Sequence, residues 1–165
     1  MIWKAQGYEI GKSLLDEESL DFCRKVLAEH GDKIVLPVDY AVTHEFTNDE
    51  EYRIKDAKEI AADEMGLDIG DKTLGIFEDI LKTAAVAIWN GPLGVYEFEK
   101  YKKNTVELLD FAVKNNIKII LGGGDIVAAA TKAGYKEKVY HASTGGGATL
   151  EYMEGKGLPG VEVIH

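Results

Sequence analysis

Two strongly apolar runs, each following an amphipathic helical pattern, restrict the fold more than any other feature of the chain. They are AAVAIW at residues 84–89 and IKIIL at residues 117–121. Such runs, without regular polar alternation, are typical of strands that are covered on both faces. Right-handed crossovers between parallel strands place helices on the two faces of the sheet. We therefore predict an α/β fold, Rossmann-like with three αβα layers and a mainly parallel sheet, in which residues 84–89 are buried on both faces.

Helical spacing and end signals predict the other elements. Helices are predicted over residues 16–30, 71–83, 126–133 and 146–154, with a further one from about Asn104. Asp16 and Asp125 occupy expected N-cap positions, and Asn104 with Glu107 forms a capping-box-like pair. Strands are predicted at residues 34–36 (buried), at residues 40–46 and 51–58 (exposed and antiparallel), and near residues 139–141. No repeat or linker divides the chain, so we predict a single domain over residues 1–165.

The charge and cysteine content argue against several classes of function. The chain has 19 Lys and Arg against 29 Asp and Glu, a formal net charge of -10 and no long basic run, which disfavours a nucleic-acid partner. No apolar stretch reaches the roughly 18 residues of a membrane helix, so no membrane partner is expected. Cys23 is the sole cysteine, which excludes an intramolecular disulfide and suits a cytoplasmic protein. It lies on an apolar helix stripe, where a buried, unreactive thiol is predicted.

Glycine-rich turns follow three of the predicted strands. They contain NGPLG at residues 90–94, GGGD at residues 122–125 and STGGG at residues 143–147. The carboxyl ends of parallel strands share one edge, which is where open α/β sheets bind ligands. The second and third turns each precede a helix, so their N–H groups can contact an anion such as phosphate. The alternative is that each glycine only permits a tight turn or close packing.

Two acidic side chains near these turns have both a functional and a structural interpretation. Asp125 is either a helix N-cap or an oxygen ligand for Mg²⁺, which commonly accompanies nucleotide phosphates. Glu97 either accepts hydrogen bonds from ribose hydroxyls or is a solvent-exposed acid. A Walker A lysine and the third glycine of a dinucleotide fingerprint are absent, which disfavours those two nucleotide sites. A hydrolase using Ser143 or Cys23 is also disfavoured, because the chain has no Gly-x-Ser-x-Gly turn.

Five motifs, taken together, resemble the phosphoglycerate kinase family. They are GLDIG at residues 66–70, WNGPLGVYE at 89–97, GGGD at 122–125, HASTGGGATLE at 141–151 and EGKGLPG at 154–160. Their order and separations resemble the later part of that family's C-terminal, nucleotide-binding domain over nearly the whole chain. The resemblance implies ATP:3-phosphoglycerate phosphoryl transfer in glycolysis, with ATP or ADP and Mg²⁺ as cofactors.

The resemblance also implies roles for individual residues. The nucleotide-binding positions are Gly66, Leu67, Asn90, Val95, Glu97, Gly123, Gly124, Asp125 and Ile126. Glu97 would contact the ribose hydroxyls and Asp125 the magnesium ion. The catalytic positions, whose N–H groups would stabilise the phosphoryl group in transfer, are Gly124, Gly145, Gly146 and Gly147. Ile126 stands where the family usually has Ser or Thr, which removes one hydroxyl from the phosphate side.

Regions of the family that would complete this site have no counterpart in the chain. They are the N-terminal domain, which binds 3-phosphoglycerate, and a Gly-Gly-Ala-Lys section of the C-terminal domain with its phosphate-binding lysines. We therefore expect a sheet truncated at its N-terminal side and a chain that is inactive alone, binding 3-phosphoglycerate only if the missing domain is supplied. An unpaired sheet edge predicts a homo-oligomer. The alternative is a non-catalytic, nucleotide-binding or self-associating α/β module.

Overall fold

Two three-stranded sheets and their connecting helices form the framework of the computed structural model, which describes residues 1–158 and Glu162. The helices are α1 (Ile2–Ala5), α2 (Leu20–His30), α3 (Asp71–Thr83), α4 (Lys103–Lys114), α5 (Gly124–Lys132) and α6 (Gly146–Met153). The strands are β1 (Asp39–Thr43), β2 (Arg53–Asp56), β3 (Met65–Ile69), β4 (Val86–Asn90), β5 (Lys118–Gly122) and β6 (His141–Ser143). Pro159 and Gly160 of the last motif lie outside the described residues.

The parallel sheet has the order β4-β5-β6 and confirms the predicted α/β fold. In its register, Ile88 lies opposite Ile120, and Ile120 lies opposite His141. The three strands therefore end at the same edge of the sheet. Their last residues are Asn90, Gly122 and Ser143.

The second sheet is antiparallel, with the order β2-β1-β3. Pairing of β1 with β2 confirms the antiparallel strands predicted from the alternating sequence, although both are shorter than predicted. The prediction that both are exposed is wrong for β1, in which four of the five residues are buried and Ala41 packs with Leu67 and Tyr101. The sequence pattern does not predict β3, which contains most of the GLDIG motif. Glycine and aspartate are poor strand formers, and β3 is stabilised by distant pairing with β1, in which Tyr40 lies opposite Ile69.

The main hydrophobic core lies between β5, α4 and α5. Leu109, Leu121 and Ile126 are fully buried there. Trp89 of β4 packs both against this cluster and against a second one that contains Ile69. The turns at the carboxyl edge of the parallel sheet are therefore held by buried residues that directly precede or follow them.

One face of β4 is exposed, contrary to the prediction that residues 84–89 are buried on both faces. Val86 is 50% exposed and Ile88 45% exposed, whereas Ala87 and Trp89 pack on the core. β4 is an edge strand, so one side has no neighbouring strand among the described residues. The predicted buried strand at residues 34–36 is also wrong: the segment has no ladder partner, and Val35 is 50% exposed. Apolar residues become a buried strand only where neighbouring elements cover them.

Several helix ends differ from the sequence prediction. α2 begins at Leu20, and Asp16 accepts hydrogen bonds from the Glu18 N–H and the Ser19 hydroxyl instead of capping the helix. α5 begins at Gly124, so Asp125 lies within the first turn and not at the N-cap.

Two side chains also lie elsewhere than predicted. Asn104 is inside α4, and its side-chain amide donates to the carbonyl oxygen of Ile69, 2.6 Å away, so it is not a cap. The Asn104 amide therefore bonds a residue that is distant in the sequence and not the backbone at the start of α4. Cys23 is half-buried, so the prediction of a buried thiol is wrong. The apolar stripe of α2 is not fully covered, since no residue of this helix is buried. No helix in the described part of the chain is long and apolar enough to cross a membrane.

Candidate functional site

Asn90, Gly123 and Gly146 come together at the carboxyl edge of the parallel sheet. A Cβ atom placed on Gly123 would lie 3.6 Å from the Asn90 Oδ1, and one on Gly146 would lie 3.9 Å from the Asn90 Nδ2. A Cβ on Gly146 would also lie 3.0 Å from the Cα of Gly123. The two glycine turns therefore pack backbone to backbone beside one amide side chain. The structure brings these three predicted site residues together, as the shared strand edge requires.

Gly123 has a backbone conformation that requires glycine. Its φ of 125° lies in a region that residues with a side chain rarely adopt. Its N–H donates to the carbonyl oxygen of Ser143, 2.9 Å away, which fixes the turn after β5 to the end of β6. The conformation directs the chain into α5 immediately after the strand.

Free backbone donors are concentrated at the starts of α5 and α6. Within the described part of the chain, the N–H groups of Gly124, Asp125 and Ile126 form no hydrogen bond, and neither do those of Gly147 and Ala148. Both helix N-termini carry partial positive charge from the helix dipole. Their close approach at Gly123 and Gly146 produces a site with the chemistry of a phosphate-binding turn.

Glu97 and Asp125 both lie near enough to Tyr96 to influence its hydroxyl. Desolvation, followed by the negative charges of Glu97 and Asp125, raises the pKa of the Tyr96 hydroxyl. The Lys132 ammonium lies 5.1 Å from the centre of the Tyr96 ring. Both carboxylates are exposed and free to contact a ligand.

Asp125 carries the carboxylate that lies among the free N–H groups of α5. Its surroundings can be compared with what the predicted magnesium ion requires. No group of three or more His, Cys, Asp and Glu suited to a metal is present among the described residues. A single exposed carboxylate fits Mg²⁺ that takes its other ligands from phosphate and water. It does not fit a metal held by protein side chains alone.

Ile126 is buried at the base of this site. Its side chain has 0% exposure and belongs to the main core. Only its backbone N–H is available to a ligand. The predicted contact of Ile126 with a nucleotide is therefore restricted to the main chain.

Gly66, Leu67 and Val95 line a separate cavity of about 610 Å³. The Val95 N–H donates to the Leu67 carbonyl oxygen, 2.8 Å away, and joins β3 to the loop after β4. The cavity wall is largely apolar, as is typical of sites for small ligands. Glu97 lies outside this wall and lines a smaller cavity of about 90 Å³, together with Tyr96 and Lys132.

More than half of the wall of the larger cavity is not predicted from the sequence. The missed residues are Lys12, Ser13, Leu14, Phe46 and Met65. Ser13 is fixed there by its hydroxyl, which accepts the Gly66 N–H at 3.2 Å although the two residues are 53 positions apart. No local pattern signals such a contact, because it depends on how the N-terminal segment packs against β3.

A buried polar cluster supports the loop that carries Val95 and Glu97. The Leu93 N–H donates to the Thr105 hydroxyl, 3.0 Å away, and fixes the loop to the first turn of α4. Asp68, next to Leu67 on β3, is 3% exposed. Burial raises the pKa of Asp68 to about 7, against the smaller opposing effects of N–H donors from Ile69 and Asn104. Asp68 belongs to the GLDIG motif, but no local pattern in the sequence predicts a role for it.

Comparisons with known proteins all give the same family. The family model described as "Phosphoglycerate kinase" matches residues 1–156. Phosphoglycerate kinases of Staphylococcus aureus strains JH9 and Newman are each 48% identical to this chain over 164 residues, which cover 98% of this chain and 41% of the relative. The chain therefore spans well under half the length of these relatives.

Two solved structures are similar over almost the whole chain. The phosphoglycerate kinase of Coxiella burnetii superimposes with a TM-score of 0.90 and 35% identity, covering 98% of this chain and 43% of that one. The phosphoglycerate kinase of Pyrococcus horikoshii OT3 superimposes with a TM-score of 0.83 and 29% identity, covering 98% of this chain and 41% of that one.

Proposed function

The chain belongs to the phosphoglycerate kinase family, and we propose that its residues 1–165 are a single domain carrying part of that family's ATP and ADP site. The observation that carries this proposal is the convergence of Asn90 with the N-termini of α5 and α6. The nucleotide phosphates would accept hydrogen bonds from the free N–H groups there. The proposed reaction is ATP:3-phosphoglycerate phosphoryl transfer, a glycolytic and cytoplasmic activity, to which this chain contributes the nucleotide side.

The cavity beside β3 is the proposed position of the adenine ring. Gly66, Leu67 and Val95 would contact the base, since they line an apolar space of about 610 Å³. Glu97 lies two residues beyond Val95 on the same loop, where its carboxylate would accept hydrogen bonds from the ribose hydroxyls. In this arrangement the site would extend from β3 toward the glycine turns.

The chain's part in phosphoryl transfer would be positioning and charge stabilisation. The N–H groups of Gly124 and Gly147 are aligned by the two helix N-termini and would donate to the phosphoryl oxygens. Gly145 and Gly146, whose N–H groups are also predicted to contact the phosphoryl group, would instead hold this turn. Their N–H groups donate to the Ser143 hydroxyl at 3.3 Å and to the Thr144 carbonyl oxygen at 3.0 Å. Magnesium, when bound, would neutralise phosphate charge, and Asp125 would hold it. These groups need no covalent chemistry of their own.

The acceptor side of the reaction would come from outside this chain. The relatives are more than twice as long, since the match covers 41% of their length. We propose that their unmatched part supplies the residues that bind 3-phosphoglycerate. The isolated chain should therefore bind nucleotide without turnover, and magnesium-dependent turnover by the pure chain would contradict this.

Calorimetric titration with ADP, with and without Mg²⁺, tests the nucleotide proposal. Removal of Mg²⁺ should weaken ADP binding to the wild type. In Asp125→Ala, binding should be weaker and no longer depend on Mg²⁺. Asp21→Ala is the matched control, because Asp21 is also an exposed aspartate in the first turn of a helix. Equal Mg²⁺ dependence in Asp125→Ala and the wild type would contradict the assignment.

Self-association is a second proposed property, and the free edge of β4 favours it. The backbone of β4 has no ladder partner on one side among the described residues, and Val86 and Ile88 expose apolar surface beside it. A cleft of about 570 Å³ between α3 and β4 continues this surface. A second copy could pair along the same edge. Light scattering across a dilution series tests this, and a monomer mass at every concentration would contradict it.

A further inference from the structure

The loop at residues 91–97 is held by contacts to β3 and to α4. Its Val95 N–H donates to Leu67, and its Leu93 N–H donates to Thr105. Between these two bonds, Gly94 approaches Asp68 so closely that a Cβ on Gly94 would lie 2.5 Å from the Asp68 carboxyl carbon. The carboxyl group of Asp68 is therefore part of the surface on which this loop rests.

Few charges compensate the Asp68 carboxyl group. It accepts the backbone N–H groups of Ile69 at 2.8 Å and Asn104 at 3.4 Å, and the Asn104 side chain also acts to lower its pKa. It forms no ion pair within the described part of the chain. Lys103 is the charged residue that faces it from α4, and its ammonium already pairs with carboxylates at 3.2 and 3.9 Å.

The other elements around this carboxyl bring no charge. On β1, Ala41 lies opposite Asp68. In the segment before α4, the backbone of Tyr101 packs beside Gly94, and burial raises the pKa of the Tyr101 hydroxyl, which keeps it neutral. A buried carboxylate in such surroundings is costly in its ionised form.

A second observation concerns Asn104, whose backbone N–H bonds the Asp68 carboxyl group. The Oδ1 atom of Asn104 is buried with no donor in the described part of the chain. Its Nδ2 is already engaged with the Ile69 carbonyl oxygen, so the amide cannot turn round without losing that bond. An ionised Asp68 can only accept hydrogen bonds, whereas a neutral one carries an O–H donor of the kind that this oxygen lacks.

We propose that Asp68 is a positioning residue of the nucleotide site, and that only its neutral form holds Gly94 and Asn104 in the arrangement that allows Val95 and Glu97 to contact a nucleoside. On ionisation, the Asp68 proton passes to solvent, the neighbouring loop shifts and nucleoside affinity falls. This proposal rests on the proposed function, because it takes the cavity at Val95 as the adenosine site.

Adenosine is the probe, because it has no phosphate that titrates near neutral pH. Its affinity for the wild type should fall by about tenfold or more between about pH 5.5 and about pH 8.5, which bracket the titration of Asp68. Asp68→Asn, which is neutral throughout, should lose this dependence. Asp79→Asn replaces an exposed aspartate of α3 and should keep the wild-type profile. A pH dependence that persists in Asp68→Asn would overturn the proposal.

Amide NMR of the wild type without ligand provides a second test that needs no variant. The Gly94 and Val95 resonances should titrate together with a midpoint near neutral pH. Resonances that do not move would overturn the proposal even if adenosine binds. No adenosine binding at either pH would overturn the proposed function instead, and the amide titration separates the two failures.

Discussion

Replacement of Asp68 by Asn should make the protein more stable at alkaline pH. Burial raises the pKa of Asp68 from its usual 3.8 to about 7. An acid with a higher pKa in the folded state stabilises the fold below the pKa of the unfolded chain, and this contribution is lost as the pH rises through the folded-state pKa. At roughly 1.4 kcal/mol for each pH unit between those values, the loss is about 4 kcal/mol. Asn does not ionise and avoids it.

Urea unfolding, followed by tryptophan fluorescence, measures this difference. The free energies of unfolding of Asp68→Asn and the wild type should be similar at about pH 4 and differ by several kcal/mol at about pH 8, with the variant more stable. Comparison of the two proteins cancels the other titrating groups, which both share. A difference in stability that is independent of pH, or a wild type favoured at alkaline pH, would refute the reasoning.

Three further substitutions test the core, the glycine turn and the free sheet edge. Leu109→Ala, at a fully buried position, should lower the free energy of unfolding in urea by about 2–5 kcal/mol. Leu150→Ala, at a position that is 44% exposed, should lower it less. Equal losses in the two variants would contradict the core assignment. Gly123→Ala should lower the free energy of unfolding by about 1–3 kcal/mol, because alanine is strained at the Gly123 φ of 125°. In thermal unfolding, Gly124→Ala should lower the stability much less, since nothing lies within 4 Å of the added Cβ. Ile88→Lys should lower the mass measured by light scattering, because a charge would disfavour pairing along β4. Ile54→Lys, at a similarly exposed position on β2, should not change the mass. Identical masses for the wild type and Ile88→Lys would contradict pairing through β4.

Local patterns in the sequence are sufficient to predict the parallel half of the fold. Helical spacing fixes the bounds of α3, and apolar runs followed by glycines locate β4 and β5. The convergence of the glycine turns follows from parallel topology alone, because parallel strands end at the same edge. These features depend on residues that are close in the sequence, so they can be predicted from the sequence alone.

The remaining features depend on contacts between distant residues. β3 is ordered by its pairing with β1, and Asn104 forms a hydrogen bond to Ile69 in place of a local cap. The exposure of Ile88 depends on which elements pack over its face of β4, not on its own hydrophobicity. For the same reason, the environment of Asp68 is visible only once the loop containing Gly94 is placed over it.

Amide NMR mapping of ADP with Mg²⁺ onto the labelled chain tests the central claim most directly, namely that the cavity beside β3 and the glycine edge bind one nucleotide. The amide resonances of Leu67 and Val95 should shift together with those of Gly124 and Gly147, with the same dependence on ADP concentration. With adenosine in place of ADP, only the first pair should shift strongly. Resonance changes that avoid the glycine edge, or that follow two different affinities, would contradict the account.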